Sequence, residues 1–384
     1  FLARYEEQTG GRAIAPAHNG NTSNGLMFNG KDFKGKKITR AYAEARMRFE
    51  PLYEVTQIKG DGETHPLLSP NDEFADYERW DVSNLSGTAP KEQWMLEYEY
   101  ARSALKMGLK LGDELGVNPY KFGLIGTTDT HTALATSREE NYFGKYQHTQ
   151  PSPKRHGRDV IPAEDPSLRI LTAQEVASGL MAVWARENTR QELFDAMKRK
   201  EVYATTGTRI RVRVFGGWDF AAEEVFRTDF VAQGYQRGVP MGGDLRNAPD
   251  DKSPTFMIRS LRDPDGANLD RVQVIKGWLD EEGNTHERIY DVAVSGGREI
   301  GKDGRVREPV GNTVDINNAT FTKTIGSTTL ATVWSDPDFD PGQAAFYYVR
   351  VLEIPTPRWT TYDAAFYDIP LPESVPPTIQ DRAY

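Results

Sequence analysis

The stretch YKFGLIGTTDTHTAL, residues 120–134, carries an apolar run up to Gly126 and then places Asp129 and His131 two residues apart. In extended backbone, residues i and i+2 point to the same side, so this pair can aim a carboxylate and an imidazole at one point. A hard carboxylate oxygen beside an imidazole nitrogen suits zinc, manganese or iron. Asp-x-His alone is a weak motif, and the plainer reading is a capped turn in which Asp129 accepts hydrogen bonds from backbone amides. The surroundings have to choose.

Working outward, the segment KEQWMLEYEYARSALKMGLKLGDELG, residues 91–116, predicts one helix that leads into this strand, with Trp94, Tyr98, Ala101, Leu105 and Leu109 at helical spacing and Gly116 as its stop. Earlier, GRAIAPAHNGNTSNG predicts a short strand over 12–17 that runs into a turn-rich loop, with His18 at the junction. A helix with its first turn near Thr39 is stopped by Pro51, and a strand over 52–58 follows, holding Glu54 and leading into KGDGETHP. Three strand ends thus present candidate ligands. The alternation predicts an α/β domain, and in parallel α/β sheets and barrels active sites gather at the carboxyl ends of strands.

Residues 147–165, QHTQPSPKRHGRDVIPAED, read as a polar, proline-rich surface loop that could serve as a lid, with His148 and His156 solvated. The pattern Thr189-x-x-Glu192 opens a helix, and a strand over 202–205 closes the α/β part. After Gly207 the texture changes to alternating strands such as RIRVRVFGGW, PTFMIRSLRD, DRVQVIKGWLD, ERIYDVAVSG and AAFYYVRVLEI, separated by Gly, Pro and Asp turns. The expected organisation is a first unit over 1–207, a mostly antiparallel β-sandwich-like domain over 208–355, and a proline-rich tail over 356–384 that wraps back.

The chain of 384 residues carries 47 Lys and Arg against 56 Asp and Glu, a net charge of -9, which argues against a general nucleic-acid binder and leaves a small-molecule substrate as the better expectation. With no cysteine, thiolate metal sites and cysteine nucleophiles are excluded, so any metal must use His, Asp, Glu or Asn. No apolar run approaches the roughly 20 residues that span a bilayer. The opening FLARYEEQTGGRAI has neither an initiator methionine nor a signal-peptide pattern and reads as an interior start, so a chain trimmed or cleaved at one or both ends is expected. No Gly-x-Ser-x-Gly, Gly-x-Gly-x-x-Gly or Gly-x-x-x-x-Gly-Lys-Ser/Thr motif occurs, which leaves nucleotide-dependent chemistry unsupported.

A hydrolytic metal centre draws ligands from several strands and keeps one position open for water. His18, Glu54, Asp129 and His131 form the expected ligand set; for Glu54 a buried ion pair with Arg46 or Arg48 is the competing reading. In KGDGETHP, Glu63 and His65 are candidate proton-transfer groups, against a polar turn with a solvent-facing histidine. Substrate recognition is expected from the Asn19 to Asn24 loop, from Lys59, and from Arg209 as an anion clamp, for which a plain strand-edge arginine is the alternative.

The strings AHNGNTSNGLMF, YEVTQIKGDGETHPLLSPNDEFADYE, NPYKFGLIGTTDTHT, VYATTGTRIRVRVFGGWDF and PTPRW closely resemble the bacterial domain-of-unknown-function family 3604, whose members look related to the polymerase-and-histidinol-phosphatase (PHP) metal hydrolases. The resemblance implies a distorted (β/α) barrel of PHP type, two or three divalent ions (Zn, Mn or Fe) at its strand ends, and hydrolysis of phosphoesters, other esters or amides, often in an exported or periplasmic protein. In that pattern a late Asp-x-His matches Asp129 and His131, and an earlier His after a strand matches His18. Such hydrolases also carry a His-x-His pair on their first strand; this sequence has none, so that strand is expected upstream of Phe1 or on another polypeptide. The second functional expectation is a non-catalytic binding protein or inactive relic whose β-domain recognises a glycan or a protein partner.

Overall fold

The computed structural model describes residues 1–177 and 179–384. Helix α1 (Leu2–Thr9) is followed by α2 (Arg40–Phe49), whose Thr39 side chain accepts from the Tyr42 amide and satisfies one of the open amides of the first turn. Pro51 comes next and the chain extends into β1 (Leu52–Gln57), buried along its whole length. It pairs antiparallel with β2 (Gly60–Asp61) and parallel with β3 (Gly123–Gly126), and a parallel bridge joins Ala17 to Tyr53. The segment expected as a strand over 12–17 contributes only that bridge. Three chain segments nevertheless end side by side, which is what positions the site.

The single helix expected over 91–116 is two: α3 (Gln93–Leu96) and α4 (Ala101–Leu115). Tertiary contacts override the periodicity at the break. Glu99 is buried, its carboxylate bound by Lys91 at 2.6 Å and by the Gly25 amide at 2.9 Å, and the extended Tyr100 is fully buried. The first amides of α4 then donate to the carbonyls of Gly62 and Glu63, at 2.8 and 3.0 Å, so the helix start is tied to the loop after β2.

Beyond β3 lie a ribbon of β4 (Asp159–Ile161) and β5 (Ile170–Leu171), then β6 (Leu180–Val183), α5 (Arg190–Lys198) and β7 (Val202–Thr205). The strand-rich part adds β8 (Arg211–Gly217), α6 (Phe230–Arg237), β9 (Gly238–Pro240), β10 (Thr255–Leu261), β11 (Leu269–Leu279), β12 (Thr285–Val294), β13 (Thr329–Ser335) and β14 (Ala345–Glu353). The tail holds β15 (Thr356–Pro357), α7 (Trp359–Tyr367), β16 (Thr378–Ile379) and β17 (Arg382–Ala383). Two sheets, β13-β10-β8-β9 and β12-β11-β14-β17-β7-β6, enclose a core that includes Val212, Ile258 and Leu330 from the first and Val272, Val274, Val351 and Ala383 from the second. Alternating apolar residues on antiparallel strands produce this two-layer arrangement.

The expected distorted (β/α) barrel is not formed. Helix makes up 22% and strand 24% of the chain, and the strands fall into five separate sheets, with no closed barrel among the described residues. The physical reason lies after β3. Residues 127–177 run mainly through turns and short 3-10 segments, and β6 and β7 then pair antiparallel with each other across α5 instead of continuing a parallel series. Both join strands of the second half, so one sheet draws its strands from either side of 207/208. The tail enters that sheet too: β17 pairs with β14 and β7, with Ala383 opposite both Val351 and Thr205. Among the described residues no helix is long and apolar enough to cross a membrane.

Candidate site at the ends of the parallel strands

The strand ends at Ala17, β1 and β3 lie side by side, and the residues that follow turn sharply. Asn19, Asn24 and Asp129 all adopt positive φ, at 61°, 57° and 49°. Asn and Asp tolerate this left-handed region better than other side chains, so the turns are chemically consistent with their residues. A side chain at Gly20 would run into the Tyr53 hydroxyl and the Glu99 carbonyl, so the His18 loop passes over β1 only because that residue lacks a Cβ.

Asp129 is the centre. Its Oδ1 lies 3.2 Å from His131 Nε2 and 3.9 Å from His18 Nε2. Its Oδ2 pairs with Lys59 Nζ and, at 2.7 Å, with Lys145 Nζ, which also donates to the Asp129 carbonyl at 2.6 Å. Lys145 Nζ is 3.2 Å from His131 Nε2 as well. Glu54 stands behind His18: its Oε2 accepts from His18 Nδ1 and its Oε1 from the Thr127 hydroxyl. The competing ion pair is absent, because Arg46 bonds Glu50 and Arg48 bonds Glu6. Both imidazoles are about half exposed while Glu54 and both lysines are buried, so the cluster is open on its histidine side.

Two ammonium groups buried side by side change each other's chemistry. Burial first, and then Lys145, bring the Lys59 amine down to about 7; burial brings Lys145 down to about 8. Burial and then the charges of Lys145 and Lys59 lower His131. Beneath them lies Glu175, pushed up to about 7 by burial. One of its oxygens accepts from the Tyr142 hydroxyl at 2.5 Å, and the other has no hydrogen-bond partner among the described residues. Lys59 is held in place by a chain of its own, since its amide donates to Gln57 Oε1 and its carbonyl accepts from Asn21 Nδ2, while Gln57 Nε2 donates to Asn19 Oδ1.

The structure therefore gathers His18, Glu54, Asp129, His131 and Lys59, with Asn19 two bonds away. It does not bring the others. Glu63 is buried in an ion network with Arg102 at 2.7 Å and Arg350 at 2.9 Å, and its Oε1 accepts from Tyr348 at 2.6 Å. His65 is also buried, neither solvent-facing nor in the cluster: its Nε2 donates to Asp81 at 3.0 Å and its Nδ1 accepts from the Leu67 amide. Arg209 is exposed at a turn, tied by its amide to Asp263, and Asn24 has a buried Oδ1 without a partner among the described residues. Lys145, Thr127 and Glu175 were missed by sequence reasoning. Nothing local marks Lys145 in FGKYQH or Glu175 in TAQEVA; only the tertiary fold carries them to Asp129.

The donors fit a divalent ion in kind, two imidazoles and two carboxylates with no thiolate, of which three already share the space round Asp129 Oδ1. Among the described residues no three His, Asp or Glu side chains stand in a geometry that closes on an ion, and the positive charge facing Asp129 is that of the lysines. The family model described as Protein of unknown function (DUF3604) matches residues 1–384. No curated protein and no solved structure matches the chain.

Proposed function

We propose that this chain, which belongs to the DUF3604 family of proteins of unknown function, is a metal-dependent hydrolase that cleaves an ester, phosphoester or amide bond beside Asp129. The observation that supports this reading is the convergence of His18, Glu54, Asp129 and His131 where adjacent parallel strands end, with two buried lysines directed at the central carboxylate. Of these four residues His18, Asp129 and His131 would hold the zinc, manganese or iron ions, with Glu54 acting through His18, and the resemblance to the PHP hydrolases supports the same assignment. Bound there, the metal supplies Lewis acidity and a water of lowered pKa.

The chain's own residues do the rest. Glu54 accepts from His18 Nδ1 and so leaves Nε2 turned toward Asp129, the arrangement by which a carboxylate orients a ligating imidazole. Thr127 fixes Glu54 from the other side. Lys145 pins Asp129 through backbone and side chain, and together with Lys59 it sets positive charge where an oxyanion develops. The half-exposed histidines form the entrance for substrate.

The test is hydrolysis of p-nitrophenyl acetate, p-nitrophenyl phosphate and an anilide by protein loaded with zinc or manganese, compared with Asp129→Ala and with chelator-treated protein. At least a hundredfold loss in both is expected. Full activity in Asp129→Ala, or indifference to the chelator, would sink the reading.

A further inference from the structure

Residues 147–165 are not a loose loop. Arg155 is buried and donates to both oxygens of Asp363, at 2.5 and 2.6 Å, and to the Tyr142 carbonyl at 3.0 Å. Thr172 donates to the Arg158 carbonyl through its amide and its hydroxyl, and β4 pairs with β5. On this frame lies a recess of about 570 Å³, within the size range of small-molecule sites.

One wall is aromatic. The rings of Tyr146 and His148 are parallel within 9° at 5.4 Å, and His148 is held there because its Nε2 donates to the Asp159 carbonyl at 2.9 Å. The other wall is charged. Arg169 donates to Asp159 Oδ1 at 2.8 and 2.5 Å, so those two charges offset each other. Arg158 donates to the His148 carbonyl and has no carboxylate partner among the described residues. The recess thus keeps one uncompensated cation in a chain whose net charge is -9, and Gly157 leaves its rim without a side chain.

The recess adjoins the Asp129 cluster through a shared side chain. Tyr146 follows Lys145, its ring meets His131 edge-on at 5.1 Å, and Lys145 Nζ lies 5.2 Å from its centroid. We propose that this recess is the subsite for the part of the substrate next to the cleaved bond. It takes a hydroxylated ring bearing a carboxylate or a phosphate, as in an acidic or phosphorylated sugar, an inference that rests on the hydrolase reading. The stacked wall offers a flat face to ring C–H groups, Asp159 and Arg169 offer an acceptor and donors to hydroxyls, and the planar fork of Arg158 matches a carboxylate or phosphate. Because the stack and both arginines are already held by hydrogen bonds, little side-chain freedom is lost on binding.

The chain has six histidines, so the imidazole C–H signals in proton NMR are few enough to follow, with His148→Ala assigning the one that matters. Glucuronate, glucose 6-phosphate, glucose and adenosine monophosphate are titrated into the protein. Glucuronate and glucose 6-phosphate should move the His148 signal at least tenfold more tightly than glucose, and Arg158→Gln, a change at an exposed residue, should reduce that preference at least fivefold. Equal binding of glucose, tighter binding of adenosine monophosphate than of either acidic sugar, or an unchanged preference in Arg158→Gln would overturn the proposal. Asp129→Ala should bind the acidic sugars within twofold of the parent, which keeps the two readings separable. Absent binding in an active enzyme removes the subsite alone. Binding in a protein whose activity ignores Asp129→Ala removes the hydrolase reading and leaves an acidic-sugar site.

Discussion

Two charged clusters draw on the chain either side of β2, Lys59 before it and Glu63 after it, and they differ in how completely they are paired. At the seam with the β-rich part, Glu63 and Asp72 face Arg102 and Arg350, all four buried, with Tyr348 and Gln273 taking further hydrogen bonds. Burial pushes Glu63 and Asp72 up, but Arg350 and then Arg102 outweigh it and hold both below the usual carboxylate range. At the strand ends, two buried lysines share one carboxylate, both imidazoles are half exposed, and a buried carboxylate oxygen of Glu175 has no partner among the described residues. The first cluster matches three carboxylates, Glu63, Asp72 and Glu287, with Arg102, Arg350 and Lys106, and its centre is closed to solvent. The second has two lysines on one carboxylate, depressed amines and an entrance. Closed pairing is what a structural network needs, whereas incomplete pairing toward solvent is what binding and proton transfer need.

The largest expected effect breaks the closed cluster. Arg350→Met leaves Glu63 and Asp72 buried with one guanidinium between them, and a loss on the order of 3–5 kcal/mol in denaturant-measured stability is expected. The comparison fails if Arg350→Met is as stable as the parent.

Next comes a pH test in which the two regions act with opposite sign. Asp72 and Glu63 have lowered folded pKa values, so the stability they contribute is present above the unfolded value near 4 and is lost as pH falls. Glu175 is raised to about 7, so between about 4.3 and 7 the unfolded chain releases its proton while the folded chain keeps it, and stability falls as pH rises through that window. Glu175→Gln should remove a fall on the order of 3 kcal/mol, read as the difference in unfolding free energy between parent and variant at pH 4.3 and 7.5. An identical pH profile in the two proteins would place Glu175 outside the account.

How much of this was legible in the sequence follows the same division. Thr39, Pro51, Thr189 and the alternating strands act locally, and the elements they signal stand where expected, with β7 spanning Val202–Thr205. The convergence of His18, Glu54, Asp129 and His131 was legible because Glu54 lies within a strand, Asp129 and His131 follow one, and His18 follows the bridge at Ala17. The barrel was misjudged because strand type does not reveal partner or direction: β6 and β7 read as more α/β structure and instead complete a sheet with β11, β12, β14 and β17. Glu63 and His65 looked like site residues because KGDGETHP is polar, yet their partners, Arg350 and Asp81, are set by contacts that no short pattern encodes. Lys145 is the converse, an ordinary lysine until the fold buries it at Asp129.

A third test sharpens the contrast by separating activity from stability. Lys145→Met removes a buried cation but leaves Lys59 on Asp129, so no carboxylate is stranded. Thermal stability should hold or rise, while kcat/KM falls on the order of a hundredfold, about 2.7 kcal/mol of transition-state stabilisation. A variant that loses stability and keeps activity would reverse the roles assigned to the two clusters.

The smallest effect is expected at Arg209, the residue where a sequence-based clamp and a plain surface arginine compete. Its amide is fixed by Asp263 at 2.8 Å, a bond that any residue's backbone supplies, and its exposed side chain reaches neither cluster through any hydrogen bond or ion pair among the described residues. Arg209→Ala should therefore shift stability by less than about 0.5 kcal/mol. It should also leave kcat and KM within twofold of the parent in the same p-nitrophenyl assays. A tenfold rise in KM with an anionic substrate alone would restore the clamp. It would also mean that the entrance extends past the half-exposed histidines to the turn before β8, and that charge far from Asp129 steers the substrate inward.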